Sequence, residues 1–305
     1  MCGIVGLQLK TQNHHDALGR LLSPMLDCME TRGSDSAGLA LYEDPVPVGY
    51  LRYSVRLDGL DSSEEIKADV ATLVDELSED LASTVTCERV RPDGAVLVAP
   101  ETVGDVTSCL AQRRPGATVV GFGRHIEVVK DVGTPLEICS RHEIENRTGF
   151  QGIGHTRMAT ESAVTTDHSH PFAPNADLAL VHNGSFSNHA TVRRRLAKEG
   201  IECVTDNDSE VTARLIGREL SLGASLEVAL KLVGKEMDGF YTLLVATGTE
   251  FAVVRDSFAC KPLVVAETDD YVAVTSEYIA MTSLPDIGSA RVYEPMPGEI
   301  HVWGR

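Results

Sequence analysis

The sequence predicts an α+β protein in which two packed sheets are flanked by helices, with a small α+β subdomain inserted at residues 43–148. Three observations carry this reading. Strand-like runs lie towards both ends of the chain, amphipathic helical patterns lie between them, and residues 43–148 alternate strand and helix on their own. With 305 residues, the chain can bury an ample core in one large domain or two ordinary ones.

Taken in order, residues 2–10 read as a core strand. Leu18, Leu21, Leu22, Met25, Leu26 and Met29 then recur at helical spacing, so a helix over 16–30 is expected to pack on the core, with Cys28 a buried thiol. Residues 31–38 break it and 39–42 resume a strand. Within the insertion, strands are expected over 49–57, 94–98 and 117–129, the last interrupted at Gly121-Phe122-Gly123, and amphipathic helices over 63–81 and 101–112. That order fits a two-layer subdomain of the split βαβ type. No chemistry attaches to it.

Beyond Gly152, short polar motifs interrupt apolar strands. The strand 178–181 runs into His182-Asn183-Gly184, and helices are expected over 187–199, from a cap at 206–210 to about Leu220, and over 225–235. Short strands over 239–247, 251–256, 263–267, 271–275 and 298–302 complete the pattern.

Hydrophobic residues at 43% and charged residues at 24% describe an ordinary globular composition. The net charge of −18 argues against nucleic acid or an anionic membrane as a partner and favours solubility or a basic partner. No apolar run approaches the ~20 residues that span a bilayer, and the first residues lack a signal-peptide pattern, so a cytoplasmic location is expected. The 7 cysteines are odd in number and without a CxxC pair, which suits reduced thiols better than disulfides or a zinc ribbon.

Chemistry concentrates around Cys2. Once Met1 is removed, which a small second residue permits, Cys2 carries both a thiol and a free α-amine. A thiol near ~8.5 is a poor nucleophile until deprotonated, and an amine near ~7.7–8.0 can take that proton at neutral pH. Asn183-Gly184 offers a side-chain amide and a flexible backbone N–H directly after a strand, the donor pair an oxyanion hole uses. Arg157 presents a fork for a carboxylate, and Asp208 can accept from an ammonium. Plainer roles compete: Arg157 as one half of an ion pair, Asp208 as a helix cap, Arg193 to Arg195 as a solvated face. His155, His168, His170 and His182 lack compact ligand spacing, so no metal and no cofactor are expected.

The ordered set Cys2-Gly3-Ile4-Val5-Gly6, Arg32 to Gly38, His155-Thr156-Arg157-Met158-Ala159-Thr160, His170-Pro171-Phe172, His182-Asn183-Gly184 and Asp208-Ser209-Glu210 resembles the class II glutamine amidotransferases. Asp238-Gly239, Arg255-Asp256, Lys261-Pro262-Leu263, Ser276-Glu277 and Pro297-Gly298-Glu299 continue it over nearly all of the chain outside the insertion. The resemblance implies a four-layer αββα sandwich of N-terminal-nucleophile hydrolase type. It makes Cys2 the nucleophile, its α-amine the base, and Asn183 and Gly184 the oxyanion hole. Arg157, Thr160 and Asp208 would bind the glutamine backbone, with His170 close by. Met158 stands where a tryptophan is frequent, and Glu161 where a histidine often follows the threonine.

The implied function is a glutaminase that cleaves the glutamine side-chain amide through a cysteine thioester. No ammonia-using domain is expected within the chain, so the ammonia would pass to a separate synthase subunit. The chain's length resembles amidotransferase subunits of glutamate-synthase-like complexes, including N-methylglutamate synthase. Two alternatives stay open: a non-catalytic glutamine-binding regulatory or scaffold subunit, and an N-terminal-nucleophile hydrolase acting on another amide.

Overall fold

The structure is a computed structural model that describes residues 2–59, 62–158 and 165–305. The apolar run after Cys2 forms β1 (Gly3–Leu9), buried along its whole length. A 3-10 turn leads into α1 (Leu18–Asp27), which turns Leu22, Met25 and Leu26 inward and gives way to a second 3-10 turn at Glu30–Arg32. The single helix expected over 16–30 is therefore in three pieces, and Pro24, which brings no N–H to the ladder, lies just before the α-helical stretch stops. Cys28 corrects the sequence reading. It follows the last helical residue, leaves the apolar stripe and is exposed, while Met29 takes the buried place.

Next come β2 (Ser36–Tyr42), β3 (Tyr50–Leu57) and α2 (Ser63–Asp80), whose start is fixed by a reciprocal cap between Ser62 and Glu65. They are followed by β4 (Thr86–Arg91), β5 (Gly94–Pro100), α3 (Val103–Arg113), β6 (Ala117–Gly123) and β7 (Ile126–Val132). A second cap of the same kind, Thr134 with Glu137, starts α4 (Pro135–Arg141). The chain continues through β8 (Gln151–Arg157), β9 (Phe172–Asn175), β10 (Leu178–Phe186), α5 (His189–Lys198), α6 (Asp208–Ser221) and α7 (Leu226–Glu236). Short strands finish it: β11 (Gly239–Ala246), β12 (Glu250–Arg255), β13 (Val264–Glu267), β14 (Tyr271–Thr275), β15 (Arg291–Tyr293) and β16 (Ile300–Gly304).

Among the described residues these strands make a seven-stranded sheet in the order β15-β13-β14-β1-β8-β2-β7, a five-stranded sheet β16-β12-β11-β10-β9, and a four-stranded sheet β4-β5-β3-β6. The two larger sheets face each other across Ile4, Ile153, Val181, Leu244 and Phe251. Leu22, Met25 and Leu26 of α1, with Ile138 of α4, cover the outside of the first against Leu7, Leu39 and Leu41. Val192, Leu196, Leu215, Leu230 and Val233 from α5, α6 and α7 cover the second. The layers run αββα.

The third sheet has its own core, in which α2 and α3 pack Ile66, Val70, Leu73, Leu77, Val106 and Leu110 on Tyr53, Val55 and Leu97. Its chain order βαββαβ, with β3 and β5 in the centre, is the split βαβ arrangement. Of residues 43–148, it takes 50–123. The expected strand 117–129 is divided between two sheets, β6 in the small one and β7 in the sandwich.

Gly38 in β2 shows how tightly the sandwich closes behind the site. A methyl group there would stand 2.2 Å from the His170 carbonyl oxygen and 2.8 Å from that of Val129. Because both neighbours are backbone, Gly38→Ala is expected to cost about 1–3 kcal/mol. Urea denaturation measures this, and an unchanged midpoint would show that the His170 segment is free to withdraw.

Candidate active site

Cys2 sits where β1 begins, at the edge of the crevice between the two large sheets. Gly3 N donates to Thr156 Oγ1 at 3.2 Å and Ile4 N to Ser276 Oγ at 3.0 Å, which ties the first residues to β8 and to the end of β14. The Cys2 carbonyl oxygen accepts two more bonds, from Arg32 Nε at 3.0 Å and Asn183 Nδ2 at 3.1 Å. Arg32 is itself anchored through Nη1 to Glu277 at 2.6 Å.

A cavity of about 640 Å³ opens in front of Cys2, lined by His155, Arg157 and Met158 of the β8 end, Asn183 and Gly184 of β10, and Asp208 of α6, among others. The structure therefore gathers Cys2, Arg157, His170, Asn183, Gly184 and Asp208 around one space. Thr160, and Glu161 with it, lies outside the described residues.

Each position has a local cause. Gly184 has φ +156°, and a Cβ there would meet the Phe240 carbonyl oxygen at 2.1 Å, so only glycine fits this part of β10 against β11. Gly33 lets the 32–35 turn lie on the Arg157 backbone, whose carbonyl oxygen accepts from Asp35 N at 3.1 Å. Asp208 is the first residue of α6 rather than its cap. Asn207 does the capping, with Oδ1 accepting from Ser209 N at 2.8 Å.

The histidines form a cluster that their separation along the chain hid from the sequence reading. The His155 and His170 rings are 4.1 Å apart, and those of His170 and His182 6.4 Å. Ser209 Oγ links them, 2.9 Å from His170 Nε2 and 2.8 Å from His182 Nδ1, and donates to Asp208 Oδ1 at 3.2 Å. A hydroxyl has one proton, so with it given to Asp208 both ring nitrogens must donate to Ser209. Asp208 Oδ2 accepts from Phe186 N at 2.9 Å. Burial alone would raise the Asp208 carboxyl, but His182, the Phe186 N–H and the Ser209 hydroxyl outweigh it and hold it at about 2. His170 goes the other way. Burial, helped by the charges of His155, His182, Lys130 and Arg157, pushes it well below the usual imidazole range.

The same competition acts on Cys2. Burial disfavours its thiolate, yet the adjoining His155 imidazole and the Met158 backbone N–H bring the thiol down to about 7. His155 Nε2 donates to the His182 carbonyl oxygen at 3.0 Å, and its buried Nδ1 has no oxygen or nitrogen partner, which leaves that nitrogen to the thiol. Among the described residues no group of three or more His, Cys, Asp and Glu side chains has metal-binding geometry.

A family model described as a glutamine amidotransferase domain matches residues 155–283. The chain is 45% identical over 304 residues to the glutamine amidotransferase-like protein GlxB of Rhizobium meliloti, covering 99% of this chain and 98% of that protein. It belongs to the class II glutamine amidotransferases.

The chain is also similar to part of longer proteins. An amidophosphoribosyltransferase of Methanocaldococcus jannaschii is 30% identical over 186 residues, 58% of this amidotransferase and 40% of that protein. The solved glutamine phosphoribosylpyrophosphate amidotransferase from B. subtilis has the same fold, with a TM-score of 0.61 at 21% identity; the match covers 99% of this amidotransferase and 47% of the larger chain. No helix among the described residues is long and apolar enough to cross a membrane.

Sequence reasoning gave no specific role to three residues of the amidotransferase pocket, His155 beside the Cys2 thiol, Ser209 between the histidines and Lys261, whose Nζ lies 5.2 Å from the centre of the Phe240 ring, nor to Arg32, which holds the Cys2 carbonyl group. His155 and Arg157 alternate on β8 with Thr156, which bonds β1 instead, and that alternation was the available signal.

A thiol lowered to about 7 becomes reactive as pH rises through that value and levels off above it. Alkylation of Cys2, followed by peptide mapping across pH, is expected to show this inflection, and His155→Gln to move it up by about one unit or more. An inflection near the ordinary thiol value in the unaltered protein would contradict the His155 contact.

Proposed function

We propose that this amidotransferase hydrolyses the side-chain amide of glutamine with Cys2 as nucleophile and the Cys2 α-amine, freed by removal of Met1, as base. The observation that carries the proposal is the placement of Cys2 at one wall of a cavity whose other walls hold Asn183, Gly184, Arg157 and Asp208. Cys2 Sγ attacks the amide carbon. Asn183 Nδ2, now 3.1 Å from the Cys2 carbonyl oxygen, and the Gly184 N–H stabilise the tetrahedral oxyanion. The α-amine returns its proton to the departing ammonia, and water then releases glutamate from the thioester.

Arg157 pairs with the substrate α-carboxylate, and the Asp208 carboxylate, kept charged at about 2, with its α-ammonium. Thr160 contributes to the same binding. His170, a buried residue of the pocket lining, orients Ser209, and through it Asp208. Within the expected 43–148 insertion of this one amidotransferase domain, residues 50–123 form the small subdomain, and none of its side chains lines the Cys2 cavity.

The ammonia passes to a separate synthase subunit of a glutamate-synthase-like complex, of which N-methylglutamate synthase is one kind. The free cysteines and the charge of −18 support a cytoplasmic setting and a partner with basic surface.

The test is intact mass spectrometry before and after treatment with 6-diazo-5-oxo-norleucine. Loss of Met1 and one adduct on Cys2 are the expected result. Retention of Met1 would replace catalysis by the glutamine-binding regulatory or scaffold reading, since an amide nitrogen is no base. Glutaminase assays should find Cys2→Ala inactive and Asn183→Ala slower by ~10²–10³ in kcat. An Arg157→Ala protein with unchanged KM would point to another amide as substrate. The synthase subunit is expected to raise the glutaminase rate, and equal rates with and without it would remove the coupling.

A further inference from the structure

A second cavity of about 420 Å³ lies at the joint between the small subdomain and the sandwich, away from Cys2. Its walls carry Lys67 of α2, Arg89 and Arg91 of β4, Arg141 and His142 at the end of α4, and Arg147. In a chain with 45 acidic and 27 basic residues, this concentration of cations needs a cause.

Structural ion pairs account for part of it. Glu127 of β7 is fully enclosed and pairs with Arg147, with Arg89 at 2.5 Å and, at 3.7 Å, with Arg91. Arg91 also pairs with Asp93 at 3.0 Å and donates to the Val128 carbonyl oxygen at 2.6 Å. Arg141 and His142 Nε2 share Asp131 at 2.6 Å and 3.0 Å, Arg89 lies 3.8 Å from Glu43, and Glu143 stands on the rim.

The pairing is incomplete on both sides. Arg147 has only 4% of its side chain exposed, yet its Nε and Nη1 have no hydrogen-bond partner, nor do the buried Glu43 Oε1 and Glu127 Oε1, and the nearest acidic oxygen to the buried His142 Nδ1 is Asp93 Oδ1 at 3.9 Å. Guanidinium N–H groups buried without an acceptor are costly, and each matches a single carboxylate or phosphate oxygen. Arg89 and Arg141, partly exposed, and Lys67, exposed, stand at the mouth.

We propose that this cavity binds a small multivalent oxyanion, a phosphate ester or a polycarboxylate. Arg147 and His142 form its floor, and Lys67, Arg89 and Arg141 its mouth. The ligand bridges the small subdomain and the sandwich, because Lys67 and Arg89 belong to the first and Arg141, His142 and Arg147 to the second.

Calorimetric titration of the full chain with pyrophosphate and with citrate, each against sodium chloride of equal ionic strength, tests this. Saturable binding of at least one is expected, and which one binds separates a phosphate source from a carboxylate source. Lys67→Gln combined with Arg141→Gln changes side chains at the mouth and should weaken that binding at least tenfold. Arg147→Lys keeps a cation beside Glu127 but removes the guanidinium, and should weaken it similarly at an unchanged melting temperature. Heats that match the chloride control, or affinities equal in wild type and both variants, would overturn the proposal.

Discussion

The carbonyl group of Cys2 is the point on which the site depends. Chain ends fray unless something holds them, and this one is held by the Arg32 guanidinium and the Asn183 amide on one oxygen. The next two N–H groups are fixed by Thr156 and by Ser276, the latter 272 residues away in sequence. A cysteine at the start of a chain thus has the precision of a side chain in the middle of a sheet. Arg32 is 8% exposed and extends the clamp to Glu277, so two loops and both large sheets converge on one peptide group.

Around that fixed point, opposing pKa shifts give neighbouring groups different charges. Burial favours neutral forms everywhere in the pocket. It prevails at His170 and loses at Asp208, where fixed donors compensate the carboxylate. At Cys2 the balance falls near neutrality. The Ser209 hydroxyl makes these outcomes interdependent, since its one proton goes to Asp208 and both histidines must then donate to it. An acceptor-only carboxylate held charged in this way is a suitable receptor for an ammonium group.

The strands and helices with dense apolar patterns were legible in the sequence, because burial on one or both faces writes a period into the residues. The edge strands β4, β9 and β15 were not. The outer strand β4 alternates exposed and half-buried residues and carries Glu88, Arg89 and Arg91, so it reads as a polar turn, and β9 and β15 are only 4 and 3 residues long. In the site, single motifs announced Cys2, Arg157, Asn183, Gly184 and Asp208. The histidine cluster was hidden because it is assembled across the crevice from β8, β10 and the segment before β9, and no spacing along the chain records that convergence. The role of Arg32 was hidden for the same reason.

The insertion is less separate from the site than its own core suggests. Arg91 grips the Val128 carbonyl oxygen, and Ser54 Oγ accepts from Val128 N at 2.9 Å, so the small sheet holds β7 at one residue by both backbone groups. Two residues along, Lys130 is paired with Gly38 of β2, and Gly38 with His155 of β8. One row of backbone pairing therefore runs from the subdomain joint to the imidazole beside Cys2. Because packed sheets resist local deformation, the position of β7 helps to set that of His155. The small subdomain thereby supports the edge of the sheet that carries the site, although none of its side chains lines the pocket.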